Sequence, residues 1–240
     1  MPRLFKSRSR SEDENWVSVS DLMAGLMMIF LLIAISYVKD ADKRANAIQE
    51  VVTTWQQQEQ DIYEALYRQF KDDLPRWNAI IEKETLTIRF NSPEILFKSG
   101  SAELTDVFKS ILSDFMPRYL ELLHENFEAQ VAEVRIEGHT SSEWGDENGN
   151  LAFIKNMDLS QARTRSVLNF SLSINRLDRI GGWIRKTVSA NGLSSAQVVY
   201  NNGVEDRQMS RRVEFSIRTK TRETLKGVLE EISPSIENKI

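Results

Sequence analysis

The chain has 240 residues, 41% apolar and 28% charged, which is enough for one membrane helix and one soluble domain of about 140 residues with its own core. A net charge of −4 gives no reason to expect nucleic acid as a partner. Because the sequence has no cysteine, it excludes disulfides and thiolate metal sites, and two histidines leave little for a transition-metal centre. We therefore predict neither a metal nor a cofactor.

The most apolar stretch of the chain runs from Trp16 to Val38. Its core, from Leu22 to Val38, holds 17 residues without a charge, and about 17 to 25 residues are needed to cross the hydrocarbon layer. A cleaved signal peptide is the alternative, but the apolar run exceeds the core of such a peptide and three acidic residues precede it. We predict a transmembrane helix at 16–38 after a cytoplasmic tail at 1–15.

Asp21 is the one carboxylate inside this span, and two interpretations of it are open. It could cap the start of the helix, as Ser20 could equally well. An acid within a membrane helix is otherwise a candidate for an ion or proton path. Trp16, the predicted interfacial anchor, lies more than one turn earlier, and the small residues Ala24 and Gly25 would let a neighbouring helix approach. These neighbours favour the ion path.

Residues 39–79 are predicted to form a periplasmic helical linker. No glycine or proline occurs between Lys39 and Asp73, and Pro75 is expected to end the helix. A stripe of apolar residues at helical spacing indicates packing against the chain's own domain or a second copy rather than against a membrane surface. The stripe consists of Ile48, Val51, Val52, Trp55, Ile62, Leu66 and Phe70.

The soluble domain is predicted at 80–222, followed by a C-terminal tail at 223–240. Strands are expected at 86–90, 95–97, 131–138, 198–200 and 213–217. Helices are expected from Ser101 to about Asn126 with a kink or break at Pro117, from 159 to 174, and from 177 to 191. This alternation predicts an α/β fold, a sandwich of one helix layer on a small mixed sheet.

Four short blocks occur in a fixed order within this domain. They are ILFKSGSAEL at 95–104, IEGHT at 136–140, NMDLSQAR at 156–163 and RRVE at 211–214. Together they resemble the OmpA-like peptidoglycan-binding domain, and the span, with SDLM at 20–23 and MMIFLL at 27–32, resembles that of MotB. The chain is thus similar to the stator B-subunit family, and it is most like the ZorB proteins of Zorya anti-phage defence systems. A flagellar MotB-type stator subunit is the alternative.

The resemblance implies a role for several residues. Asp21 would carry the transported proton, in a homodimer surrounded by MotA-like (ZorA-like) multi-span subunits in the bacterial inner membrane. Arg163 would hold a carboxylate of peptidoglycan, with Asn156 and Leu159 shaping the same groove. The family usually has Asp after Gly-His-Thr, where it meets the ammonium of the ligand. Here that position is Ser141, whose hydroxyl can accept a hydrogen bond from an ammonium but brings no charge. The resemblance therefore implies either weaker binding of diaminopimelate or recruitment of Glu143 or Asp146 from the adjoining loop.

Two other classes of function were compared with the stator. A passive tether between membrane and wall would need Asp21 only as a cap. A hydrolase finds little support, because no nucleophilic or paired-carboxylate pattern surrounds His139. We interpret His139 as a hydrogen-bonded turn residue and Arg211 and Arg212 as fold-stabilising, and we expect no enzymatic activity.

Overall fold

The computed structural model describes residues 10–91, 93–98, 100–147 and 149–221. The chain divides into two compact units, Met1–Thr53 and Thr54–Ile240, and helix α1, Arg10–Phe70, contributes to both. Residues 1–9 of the predicted tail and the whole predicted C-terminal tail at 223–240 lie outside the described residues.

In the first unit, α1 begins at Arg10, inside the segment predicted as a tail. Large apolar side chains are exposed along it from Leu22 to Val38, and its most apolar 18 residues have a mean hydropathy of 2.2. By length and composition this part of the helix can cross a membrane. The cap interpretation of Asp21 is wrong, because the helix begins well before this residue. The side chain of Trp16 lies outside the described residues.

The last turns of α1 belong to the second unit. Three residues of the predicted apolar stripe are completely buried in its hydrophobic core, namely Ile62, Leu66 and Phe70. This end of the stripe therefore packs on the chain's own domain, one of the two partners predicted for it. The second half of the linker predicted at 39–79 overlaps the compact unit that begins at Thr54. Turns follow α1, and they include Pro75.

A five-stranded mixed sheet forms the centre of the second unit, in the order β1-β2-β7-β3-β4. Only the contact between β3 and β4 is parallel. The strands are β1 Ala79–Glu82, β2 Thr87–Phe90, β3 Val131–His139, β4 Val188–Gly192 and β7 Arg212–Thr219, and a separate hairpin pairs β5 Tyr200–Asn201 with β6 Val204–Glu205. The predicted α/β fold with a small mixed sheet is confirmed.

The two faces of this sheet differ because apolar and polar residues alternate along β2, β3 and β7. One face presents Phe90, Ile136 and Phe215, and it packs against helix α3, Asp106–Phe127, through the ring of Phe115, 5.0 Å from Phe215. The opposite face carries ionised residues, of which Glu214 is an example. The helices thus lie on one side, as a single layer.

Several predicted elements have different limits in the structure. Residues 93–96 form a short helix, α2 Pro93–Leu96, instead of a strand, and only Phe97 makes an isolated bridge, to Leu104. The next helix, α3, starts after Thr105, whose hydroxyl accepts from the Phe108 amide, and not at Ser101. It is one helix with Pro117 inside it, so the predicted break is absent.

The second half of the domain also departs from the prediction. Helix α4, Gly149–Leu172, begins ten residues before the predicted Leu159, because the loop after β3 is shorter than its glycine and acidic residues suggested. The segment predicted as one helix at 177–191 is a 3-10 turn, Asn175–Ile180, then α5, Gly181–Thr187, and then β4. A last short helix, α6 Arg207–Ser210, precedes β7.

Two glycines allow α4 to lie unusually close to the sheet. Gly138 and Gly192 face each other across β3 and β4. A Cβ at Gly138 would lie 2.9 Å from the Ser160 carbonyl oxygen, and one at Gly192 would lie 2.3 Å from the Gln161 backbone nitrogen. The Ser194 amide also donates to the Ser160 hydroxyl at 3.1 Å. These contacts fix the position of α4.

Candidate ligand-binding cavity

A cavity of about 450 Å3 lies between the end of β3, the loop after it and α4. The four residues that the sequence assigned to ligand binding, namely Ser141, Asn156, Leu159 and Arg163, all line it. The remaining lining residues are Gly100, Thr140, Glu143, Trp144, Gly145 and Arg211. Residues from four separate parts of the sequence therefore meet at one site. Helix α4 contributes three of the lining residues, Asn156, Leu159 and Arg163, from one of its faces.

Arg163 is held in the cavity by two neighbours. Its Nε donates to the Ser101 carbonyl at 3.0 Å, and its guanidinium lies over the ring of Phe97, 4.9 Å from the ring centre. Within the described part of the chain, no carboxylate forms an ion pair with it. Arg163 is therefore not a surface arginine paired with a nearby acid such as Asp158 or Glu137. The two terminal nitrogens are left to form a fork for an anion.

Arg211 is the residue that the sequence reasoning missed. It lies just before β7 and lines the same cavity, and its buried Nε has no hydrogen-bond partner among the described residues. Burial, together with the charge of Arg211, lowers the pKa of Arg163 to about 10, so the Arg163 guanidinium remains charged at neutral pH. An anion between them would reduce this repulsion.

The loop after β3 forms the opposite wall. The buried Asn156 side chain donates to the Glu143 carbonyl at 3.0 Å, which ties α4 to this loop. Ser141 is buried, and the buried Thr140 hydroxyl has no partner among the described residues. The sequence offered two acids, Glu143 and Asp146, in place of the aspartate that the family usually has at position 141. Glu143 lines the cavity but pairs with Arg207. Asp146 is not among the lining residues.

His139 belongs to a buried cluster on the polar face of the sheet, next to the cavity. Its Nε2 lies 3.5 Å from Oε2 of Glu214, so His139, predicted as a hydrogen-bonded turn residue, contacts a buried acid at the end of β3. Donor atoms of Glu137, His139 and Glu214 lie within 4.8 Å of one another, a spacing that could hold a metal. However, Arg89 and Arg212 both donate to Oε1 of Glu214 and oppose a cation. We interpret the cluster as an internal ion-pair network.

Arg212 is the fold-stabilising arginine that the sequence suggested. Burial raises the pKa of Glu214, but His139 and Arg212 outweigh it and hold that pKa well below its usual range. Arg212 also donates to the carbonyls of Gln197 and Ser210, each at 3.1 Å. It therefore connects β7 to the segments that precede it.

Asp21 lies in the first unit, away from these residues in the sequence. Asp21, Ala24 and Gly25 are all exposed on α1.

Comparison with known proteins identifies the family. The Zorya protein ZorB from Escherichia coli is 43% identical over 222 residues, which cover 92% of this chain and 94% of that protein. The chain belongs to the ZorB family. No protein-family model matches this ZorB-family chain.

Two solved structures are similar to parts of this ZorB-family chain. A MotB-like protein from Desulfovibrio vulgaris has a TM-score of 0.50 and 20% identity, covering 72% of this chain and 96% of its own. The cell wall anchor of the T6SS from Pseudomonas aeruginosa has a TM-score of 0.43 and 23% identity, covering 65% and 97% of the two chains. The first likeness shows a MotB-like fold for the second unit.

Proposed function

We propose that this ZorB-family chain is a proton-conducting stator subunit of a Zorya anti-phage defence system. It pairs with a MotA-like (ZorA-like) membrane partner as a homodimer and anchors the complex to peptidoglycan, without an enzymatic activity of its own. The observation that carries the anchoring role is the cavity in which Arg163 and Arg211 have no carboxylate partner among the described residues.

The chemistry of the cavity suits a carboxylate of a peptidoglycan stem peptide. The Phe97 ring and the Ser101 carbonyl fix the plane of the Arg163 guanidinium, so little side-chain entropy is lost when a carboxylate binds both terminal nitrogens. Leu159 and Trp144 provide apolar surface for the carbon chain of the ligand. Asn156 keeps the facing loop in place.

The proton-carrying role rests on Asp21 and its surroundings. An acid within a membrane helix costs on the order of 2.5 to 3.5 kcal/mol by insertion scales, and such residues mark ion and proton paths. Asp21 is inside α1 rather than at its end, and the small residues Ala24 and Gly25 lie within about one turn of it, the kind of residue at which membrane helices approach closely. In this arrangement the N-terminus is cytoplasmic, the apolar helix crosses the inner membrane, and the second unit lies in the periplasm.

Wall binding is tested by retention of the full-length chain, in detergent, on purified sacculi. Arg163→Ala should reduce the bound fraction at least about tenfold, since a hydrogen-bonded charge pair is lost. Arg165→Ala is the matched control, because Arg165 is exposed on the same helix and does not line the cavity. Equal retention of the two variants and the wild type would reject the role of Arg163.

Proton carriage is tested in cells that express the complete defence system. Asp21→Asn keeps the size of the side chain and removes its titratable charge, so it should abolish protection against phage while leaving sacculus binding intact. Asp42→Asn, an exposed position of α1 beyond the apolar stretch, should retain protection. Full protection with Asn at position 21 would favour the passive tether.

A further inference from the structure

The cavity has an excess of positive charge. Its lining includes two guanidiniums, Arg163 and Arg211, and one carboxylate, Glu143. The carboxylate is already paired, since Arg207 contacts it, while neither guanidinium forms an ion pair within the described residues. The lining therefore offers two unpaired positive groups to an anionic ligand group and no unpaired carboxylate to a cationic one.

Two further acids near the facing loop are engaged with other residues, and the loop's Asp146 does not line the cavity. Glu205 accepts from the amide of Ser142 at 2.9 Å and from its hydroxyl, and Glu147 pairs with Lys155. Ser141 and Thr140 line the cavity with neutral hydroxyls. A ligand ammonium would have to approach two arginines, and the lining offers it neutral oxygens and one carboxylate, Glu143, that is already paired with Arg207.

We infer that this cavity recognises the carboxylates of its ligand and not the ammonium groups, so that its specificity is for a dicarboxylate chain and not for a zwitterion. The inference rests on the proposed wall-binding function. It assigns Ser141 as the specificity-determining residue. Ser141 is buried and lines the cavity with a neutral hydroxyl, and an aspartate in its place would supply a carboxylate able to accept from an ammonium.

Three small molecules with the same carbon spacing separate these contributions. Diaminopimelate has both carboxylates and both ammonium groups, pimelate has only the carboxylates, and cadaverine has only the ammonium groups. Each is used to displace the full-length chain, in detergent, from purified sacculi. We expect pimelate to compete within about threefold of diaminopimelate, because an ammonium without a charged partner adds little. Cadaverine should not compete.

A substitution gives the second measurement. Ser141→Asp should raise the preference for diaminopimelate over pimelate by about tenfold or more, since a charge-assisted hydrogen bond becomes available. Ser141→Asn, which has the same shape without the charge, should leave the preference unchanged. If Ser141→Asp does not fold, the wild-type comparison decides alone.

The outcomes distinguish this inference from the function on which it rests. A wild-type chain that prefers diaminopimelate tenfold over pimelate would overturn the inference, and so would a folded Ser141→Asp variant with an unchanged preference. Retention on sacculi that none of the three molecules reverses would also overturn it, while leaving wall binding in place. Absence of retention would reject the proposed wall binding itself.

Discussion

Gly192→Ala should disturb the cavity from a distance, through the close contact between α4 and the sheet. An added Cβ would lie 2.3 Å from the backbone nitrogen of Gln161 and 2.7 Å from its Cα, so helix and strand would have to separate by about 1 Å to reach ordinary contact distances. Backbone cannot rotate away as a flexible side chain can. Overpacking of this kind costs about 1 to 3 kcal/mol, which lowers the melting temperature of a domain this size by roughly 2 to 12 °C.

Thermal unfolding of the full-length chain and its retention on sacculi measure both effects. Retention should fall as well, because Asn156, Leu159 and Arg163 all move with α4. Gly182→Ala is the matched control: a Cβ there meets nothing within 4 Å, and alanine favours the helix by about 0.5 to 1 kcal/mol. If Gly192→Ala melts with the wild type and binds sacculi equally well, the glycine contact does not position α4.

Three further substitutions test the packing of the second unit by denaturant unfolding of the full-length chain. Glu214→Gln should cost about 3 to 5 kcal/mol at pH 7, because it leaves the buried Arg212 without a carboxylate partner, whereas the half-buried Arg89 keeps Glu82. The folded state lowers the pKa of Glu214 below its ordinary value of 4.5. The stability that Glu214 contributes is therefore present above that pH and is lost as the pH falls further, so the difference in unfolding free energy between variant and wild type should shrink in acid. A difference that stays constant with pH would contradict this. Thr105→Ala removes the cap of α3 and should cost about 1 kcal/mol. Tyr119→Phe removes a buried hydroxyl that has no partner among the described residues and should be neutral or stabilising by up to about 1 kcal/mol; a clear loss of stability would indicate a hidden partner.

Strong periodic patterns explain which elements the sequence predicted well. Strands β2, β3 and β7 and helix α3 alternate or repeat clearly, because each has one apolar face on the core. Strand β4 was missed, since Val188–Gly192 is partly exposed throughout and has no alternating burial. Its place is set by parallel pairing with β3, which local sequence does not reveal.

The cavity was predictable only in part for a similar reason. Asn156, Leu159 and Arg163 fall within one sequence block, and helical spacing brings them to one wall. Arg211 and Arg212 are adjacent and chemically identical in sequence, yet one lines the cavity and the other is buried against Glu214. The difference arises because β7 begins between them, and this register is a property of the sheet.

The burial of the last turns of α1 has a mechanical consequence. Phe70 is fully enclosed, the Arg118 guanidinium lies 4.9 Å from the centre of its ring, and Arg118 also donates to the Gln69 carbonyl at 2.6 Å. Force applied to the helix at Thr54 would therefore be resisted in shear by interlocked side chains, since no glycine follows before Phe70 to act as a hinge. A fragment that begins at residue 80 would lack these turns of α1 and would expose Phe115, whose ring packs against Phe70.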